Sequence, residues 1–363
     1  MANVLDLRRR IRSVKNTRQI TKAMKLVAAA KLRRAQERAI SARPYAVMLS
    51  SVIRSLVRRI EVYDPDSGEV RHPLLLSRPE KTVALIVVSG DKGFAGAFNG
   101  NIVKAAYRFI EEKGDLQIDI DAIGRKGRDI FRRRYPAARF VEAEESGEGQ
   151  HGAAHAAKRR GERQGPIEVV GDHPGMLDKL SFDRVAGLGR EIADRYIREE
   201  IDAAYLVFNE FKSVIAQRVV VEKILPVLEV GKREIAHAEE MELEERERAG
   251  RAALTSGISL EEPDTQQEEE EAAKFGTAEV DYLYDQPPRE LLDGLLRQYV
   301  NTQLYHALVE SVAAEHAARM TAMDAATNNA SDMIDSLTLT MNRARQAAIT
   351  KEIIEIVSGA AAL

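Results

Sequence analysis

Residues 295–358 contain neither glycine nor proline. Because these two residues most often end helices, the stretch predicts one continuous α-helix. At about 1.5 Å per residue, such a helix would be roughly 95 Å long, about twice the thickness of a compact domain. The chain therefore cannot fold into one globule, and this helix must extend beyond any compact body.

A second long helix is predicted at the N-terminus. Residues 2–43 also lack glycine and proline and are mostly strong helix formers such as Ala, Leu, Lys and Arg. A helical pattern resumes after Pro44 and continues to about Ile60, so the proline need only kink the helix. Since folded material separates the two helices, we expect an antiparallel pair within the chain; two independent bundle helices are the alternative.

Apolar residues at helical spacing predict the faces along which the two helices meet. These residues are Leu7, Ile11, Val14, Ile20, Met24 and Val27 in the N-terminal helix, and Leu304, Leu308, Val312, Met333, Leu337, Met341 and Ala344 in the C-terminal helix. The spacing slips between Val14 and Ile20, and many seam positions are Ala, Ser or Thr. A uniform heptad zipper is therefore not expected.

The middle of the chain alternates between strand and helix patterns. Strands are predicted at 82–90 and 117–124 and from Ala203 and Gln217 onward, and helices at 101–114 and 181–200. This order predicts an α/β fold with a central Rossmann-like domain, combined with a long antiparallel coiled coil formed by the terminal helices. The predicted division is a helix at 1–60, a domain at 73–230 with a mobile insertion at 142–165, a mobile acidic insertion at 234–274, and a helix at 288–363.

Charge is distributed very unevenly along the chain, although the formal net charge is only −3. Residues 1–59 contain 16 Lys or Arg and two acids, which gives +14, whereas residues 234–271 contain 14 acids and three Arg, which gives −11. A strongly basic helix predicts an acidic partner surface: nucleic acid, anionic lipid or protein carboxylates. Nucleic acid is the less favoured partner, because Tyr45 is the only aromatic residue of the basic segment.

No pattern in the sequence indicates catalysis by this chain. The absence of cysteine excludes disulfides, thiolate metal sites and cysteine nucleophiles. The glycine-rich turn from Gly90 to Gly96 lacks the spacing of a phosphate-binding loop and is interpreted as a strand-to-helix turn. His151 and His155 have the i, i+4 spacing of metal ligands but lie in a Gly- and Ala-rich insertion. We therefore predict no catalytic, cofactor or metal site.

Several long motifs carry a resemblance to a known family. The run IRSVKNTRQITKAMKLVAAAKLRRAQ at residues 11–36 closely resembles the opening of the γ subunit of F-type ATP synthase. The runs at 315–334 and 344–363 resemble its C-terminal helix, and SGDKGFAGAFN at 89–99 is similar to its glycine-rich segment. The two insertions fall outside the resemblance.

The resemblance implies a rotor shaft rather than an enzyme. In this family the terminal helices form a coiled coil inside a hexamer of α and β subunits, and the α/β domain rests with the ε subunit on the membrane ring of c subunits. Proton flow turns the ring and the shaft, which drives ATP synthesis at the β subunits. The implied location is peripheral, at the cytoplasmic face of a bacterial inner membrane. A basic coiled-coil protein that binds nucleic acid is the alternative function.

The matched motifs also imply roles for particular residues. Arg345, Gln346 and Thr350 fall where the family makes polar contacts with the β subunit, and Met24 and Lys25 fall where it meets an acidic loop of β. The basic face would include Lys22, Lys31 and Arg33, and an apolar bearing at the tip would include Ile353, Ile356 and Val357. The acidic insertion would be either a brake on ATP hydrolysis or, by preference, a solvated loop.

Overall fold

Two long helices form the two ends of the described chain. The computed structural model describes residues 4–59, 72–142, 158–260 and 286–361. Helix α1 spans Val4–Arg59 and contains Pro44, and the last helix, α6, spans Pro288–Ala361. None of the helices in these ranges is both long and apolar enough to cross a membrane.

Side-chain contacts show that α1 and α6 pack in opposite directions. Lys25 Nζ lies 2.6 Å from Asp324 Oδ1, and Gln298 Nε2 donates to the Tyr45 hydroxyl at 3.3 Å. Residue numbers therefore rise along α1 as they fall along α6, and the predicted antiparallel arrangement is confirmed. Continuing this register places Val4 opposite about residue 344, so that α6 extends beyond it by about 25 Å.

The contact face of α1 differs from the predicted one after the slip in apolar spacing. Ile20 and Val27 are 59% and 57% exposed, so their assignment to the seam is wrong. Thr21, Lys25 and Ala28 are buried in their place. The small side chain of Ala28 allows close approach of the helices. Burial of Lys25 is tolerated because its ammonium group forms an ion pair with the Asp324 carboxylate.

The domain between the long helices contains a six-stranded sheet. Its strands are β1 (Thr82–Val88), β2 (Gln117–Ile123), β5 (Ile167–His173), β6 (Ala203–Phe211), β7 (Gln217–Leu225) and β8 (Glu234–Glu240). Their order across the sheet is β5-β2-β1-β6-β7-β8. Strands β5, β2, β1 and β6 are parallel, whereas β7 and β8 are antiparallel. The helices packed around it are α2 (Phe98–Glu112), α3 (Arg125–Arg134), α4 (Phe182–Ile197) and α5 (Leu243–Leu254), and a short 3₁₀ helix (Pro73–Leu75) precedes the sheet.

Helix α6 contributes to the hydrophobic core on both faces of this sheet. Leu304 and Leu308 pack with Ile86 on one face, whereas Ala313 and Ala317 belong to the core on the other face. The alternation of side chains along β1 supplies both cores, because successive strand residues point to opposite faces. Consequently α6 passes across the carboxyl ends of the central strands β1 and β6 and is built into the domain.

Residues 234–260 of the predicted acidic insertion belong to the fold. Glu234–Glu240 forms edge strand β8, paired with β7, and α5 buries Ala249, Ala252 and Ala253. The prediction of a mobile segment therefore does not describe residues 234–260, and 261–274 lie outside the described residues. In the insertion at 142–165, Phe140–Glu142 and Lys158–Arg160 pair as antiparallel strands β3 and β4, and residues 143–157 lie outside the described part.

Replacing Gly124 by Ala should strongly destabilise the domain. Gly124 has φ +87° where β2 meets α3, and an added Cβ would lie 1.9 Å from the Ser89 carbonyl oxygen. We expect urea unfolding to show a loss of about 2–4 kcal/mol. Gly187→Ala is the matched control, because Gly187 lies inside α4 with open space around it, and it should gain about 0.5–1 kcal/mol. Equal effects of the two substitutions would contradict this account.

Candidate functional site

The glycine-rich turn after β1 packs against α6. A Cβ on Gly90 would lie 2.9 Å from Glu315 Oε1, and the Gly90 N–H donates to Asn99 Oδ1 at 2.8 Å. Gly96 has φ +54°. The interpretation as a strand-to-helix turn with close backbone approach is confirmed. Burial raises the pKa of the Glu315 carboxyl, against the opposing charge of Arg319.

The neighbouring crevice of the sheet is filled by the same helix. In open parallel sheets of this kind, ligands bind at the carboxyl ends of strands where the strand order reverses, which here lies between β1 and β6. The Asn209 N–H on β6 donates to Ser311 Oγ on α6 at 3.1 Å. A nucleotide could therefore enter this crevice only if α6 moved, and the crevice serves here to hold the helix.

Two of the cations predicted to contact a partner are bound within the chain. Lys25 is 9% exposed, and its Nζ donates to Asp324 Oδ1 at 2.6 Å and to Thr255 Oγ1 at 2.7 Å. Arg33 Nη2 donates to the Gly257 carbonyl oxygen at 2.6 Å. These bonds attach the C-terminal end of α5 and the following turn to the N-terminal helix.

The other predicted residues of α1 face outward to different degrees. Lys22 and Lys31 are exposed, and Met24 is half-buried beside the seam. Lys31 is one of the positive charges that, after burial and Arg319, lower the pKa of the His316 imidazole to about 4. The structure thus separates the predicted basic face into outward cations and cations that hold α5.

The predicted residues of the C-terminal helix lie on its free end. We call residues 345–361 the tip segment, because the helix register places them beyond Val4. Arg345, Gln346 and Thr350 are exposed there. Large apolar side chains are also exposed on this single helix: Ile353 at 55%, Ile356 at 71% and Val357 at 62%. An exposed apolar surface of this kind indicates a binding surface for another protein.

The exposure of further apolar residues was missed by the sequence reasoning, which placed Ile20, Val27 and Met333 on the helix seams; Met333 on α6 is 54% exposed, so its assignment is also wrong. Ile20, Leu26 and Val27 on α1 and Leu339 on α6 are between 56% and 61% exposed, and Phe94 in the glycine-rich turn is 72% exposed. Apolar periodicity assigns such residues to a helix seam. The signal that could have found them is that α1 carries more apolar positions than one seam can hold.

No group of three His, Asp or Glu side chains converges within residues 4–59, 72–142, 158–260 and 286–361. The predicted pair His151 and His155 lies outside the described residues.

Comparison with known proteins identifies one family over the whole chain. The ATP synthase family profile matches residues 3–363. The chain is 42% identical over 362 residues to the ATP synthase gamma chain of Solibacter usitatus, with 100% of this chain and 99% of the relative covered. It is 37% identical over 365 residues to that of Anaeromyxobacter sp. (strain K), with both chains fully covered.

Among solved structures, the chain is similar to one from the cryo-EM structure of the Tetrahymena thermophila mitochondrial ATP synthase central stalk and c-ring. The two share 20% sequence identity with a TM-score of 0.49, and 85% of this chain and 99% of the other are covered.

The Lys25–Asp324 contact should contribute measurably to stability. A double-mutant cycle with Lys25→Met and Asp324→Asn is expected to give a coupling of about 1–2 kcal/mol in urea unfolding, because both groups are largely buried. The matched control is the Lys351–Glu355 pair on the tip segment, whose side chains are 69% and 64% exposed. Its coupling should be at most about 0.5 kcal/mol. Similar values for both pairs would refute the structural role of Lys25.

Proposed function

The chain belongs to the gamma-chain family of ATP synthase, and we propose that it acts as the central rotor stalk of an F-type enzyme. In this role it couples proton flow through the membrane ring to ATP synthesis or hydrolysis at other subunits, and it performs no bond chemistry itself. The observation that carries the proposal is the tip segment, a single helix with exposed Ile353, Ile356 and Val357 beyond the paired region. Such a helix is expected to need a surrounding protein surface.

We assign the partners by position on the molecule. The helical pair and its tip segment would lie inside the hexamer of α and β subunits, with Met24, Arg345, Gln346 and Thr350 at β. The sheet domain would contact the ε subunit and the c-ring, at the cytoplasmic face of the bacterial inner membrane. The proposed contacts of Ile353, Ile356 and Val357 are apolar, which suits a surface that must slide during rotation.

Charge supports the assignment of an acidic partner to the N-terminal helix. Lys22 and Lys31 are exposed and can attract carboxylates on a surrounding subunit over several ångströms. Lys25 is a different case, because its ammonium group already binds Asp324 and Thr255. A contact between Lys25 and the β subunit would require exchange of these partners.

Assembly with the cognate subunits tests the proposal directly. The full chain should form a stable complex with α and β subunits whose ATP hydrolysis rate depends on this chain, and truncation after Arg345 should lower that rate several-fold. The control is duplex DNA, for which no salt-dependent binding is expected. A folded chain that fails to join the complex but binds DNA in a salt-dependent manner would support the nucleic-acid-binding alternative.

Arg345 should matter more to the assembled enzyme than Lys351, which lies about 120° around the same helix. Arg345→Ala is expected to lower ATP hydrolysis about five-fold or more, since loss of a charged interface contact costs about 1 kcal/mol or more. Lys351→Ala removes another exposed cation, one that already pairs with Glu355, and it should change the rate less than two-fold. Assembly of both variants is measured first, so that a lower rate reflects contact and not missing subunits. Equal rates for the two variants would remove Arg345 from the contact.

A further inference from the structure

A buried carboxyl group lies where α6 packs against the sheet. Glu310 is 4% exposed, and its Oε2 has no hydrogen-bond partner among the described residues. Its Oε1 lies 3.3 Å from Nδ1 of His306, which precedes it by one helical turn. Burial without hydrogen bonds strongly disfavours the charged form of a carboxyl group.

Most of the charged groups around Glu310 already form ion pairs with one another. We call this cluster the α6–sheet junction; its members are Glu210 on β6, Arg218 and Glu222 on β7, Arg233 before β8, and His306 and Glu310 on α6. Arg233 Nη2 donates to Glu222 Oε2 at 2.6 Å, and Glu210 accepts hydrogen bonds from both Arg218 and Arg233. Two guanidinium groups therefore pair with two carboxylates. Arg43 of α1 also acts on Glu310 and His306.

These surroundings keep both Glu310 and His306 uncharged near neutral pH. Burial raises the pKa of Glu310 to about 8, with Arg233 and Arg43 opposing and Glu210 and Glu222 adding to the increase. Burial, Arg233 and Arg43 lower the pKa of His306 to about 4, against Glu210. Near neutral pH, Glu310 therefore carries its carboxyl proton while the His306 imidazole is neutral. The proton that the pair loses as the pH rises is the one on Glu310.

We propose that Glu310 makes the α6–sheet junction proton-dependent: its protonated carboxyl allows α6 to pack on the sheet, and loss of that proton in mildly alkaline solution weakens the packing. The long helix would then be held to its domain most firmly below about pH 8. This property belongs to the chain itself and does not require the rotor role.

The sign of the pH effect follows from proton counts. Between about pH 4.5 and 8, Glu310 keeps its proton in the folded chain and loses it in the unfolded chain, so stability falls as pH rises. Between about pH 4 and 6.5, His306 has the opposite effect, because only the unfolded chain binds its proton. The two effects offset each other below about pH 6.5, and the net loss of stability appears between about pH 6.5 and 8.

Urea unfolding of the full chain tests this with Glu310→Gln. The ratio of the wild-type to the variant unfolding constant should rise about ten-fold or more between pH 6.5 and 8 and then level off, since one proton changes the constant ten-fold per pH unit. Glu352→Gln, at an exposed position of the same helix, should give a ratio that does not change with pH. A Glu310→Gln ratio that is constant across this range overturns the proposal.

Two measurements on the wild-type chain keep the test valid if the variant folds poorly. In chain labelled with ¹³C at glutamate carboxyls, one buried group should titrate near pH 8. Hydrogen exchange, corrected for its intrinsic dependence on pH, should show a loss of protection in residues 304–312 over the same range. The absence of such a titration, or protection that does not change with pH, would refute the proposal.

Discussion

The antiparallel contact between α1 and α6 sets the position of everything else in the molecule. An isolated helix gains little stability in water, and most of its stability in a protein comes from packing along an apolar face. Here that face is made by small buried residues such as Ala28 and Ala35 on α1 and Ala314 and Ala317 on α6. Close approach is possible because these side chains are short. The tip segment lies beyond this contact, which is why its exposed isoleucines indicate a missing partner.

The second constraint is that α6 belongs to both cores of the sheet domain. Leu304 and Leu308 are buried on one face, and Ala313 and Met320 are buried on the other. A helix held in this way cannot turn about its axis without carrying the sheet with it. The crevice that other parallel sheets use for ligands is therefore used here to join a long helix to a compact domain. This arrangement suits transmission of rotation between the two.

Sequence periodicity predicted the long helices and the strands β1, β2, β6 and β7, because each has an apolar pattern that its own core requires. It did not predict β8, whose acidic side chains are stabilised by residues distant in sequence. Glu239 lies 3.0 Å from Lys104 Nζ, and His237 Nε2 lies 2.6 Å from Arg108 Nη1, both on α2. The wrong placement of Ile20 has a similar cause, since the partner helix decides which face is covered. The tip and partner residues came from motif resemblance, because exposure on a long helix cannot be derived from local spacing.

The two opposed blocks of charge do not neutralise each other in the described part of the chain. Acids of the acidic block at residues 234–271 pair with arginines of the same block or with α2, as in Glu240–Arg246, Glu244–Arg248 and Glu239–Lys104. Where α1 touches this block, its cations bind neutral oxygens: Lys25 binds the Thr255 hydroxyl, and Arg33 binds the Gly257 carbonyl. The hydrogen bond to the neutral Gly257 carbonyl fixes the position of Arg33 without cancelling its charge, whereas Lys25 also forms an ion pair with Asp324 on α6. The N-terminal helix therefore keeps most of its positive field, which is available to attract acidic groups on the subunits proposed to surround it.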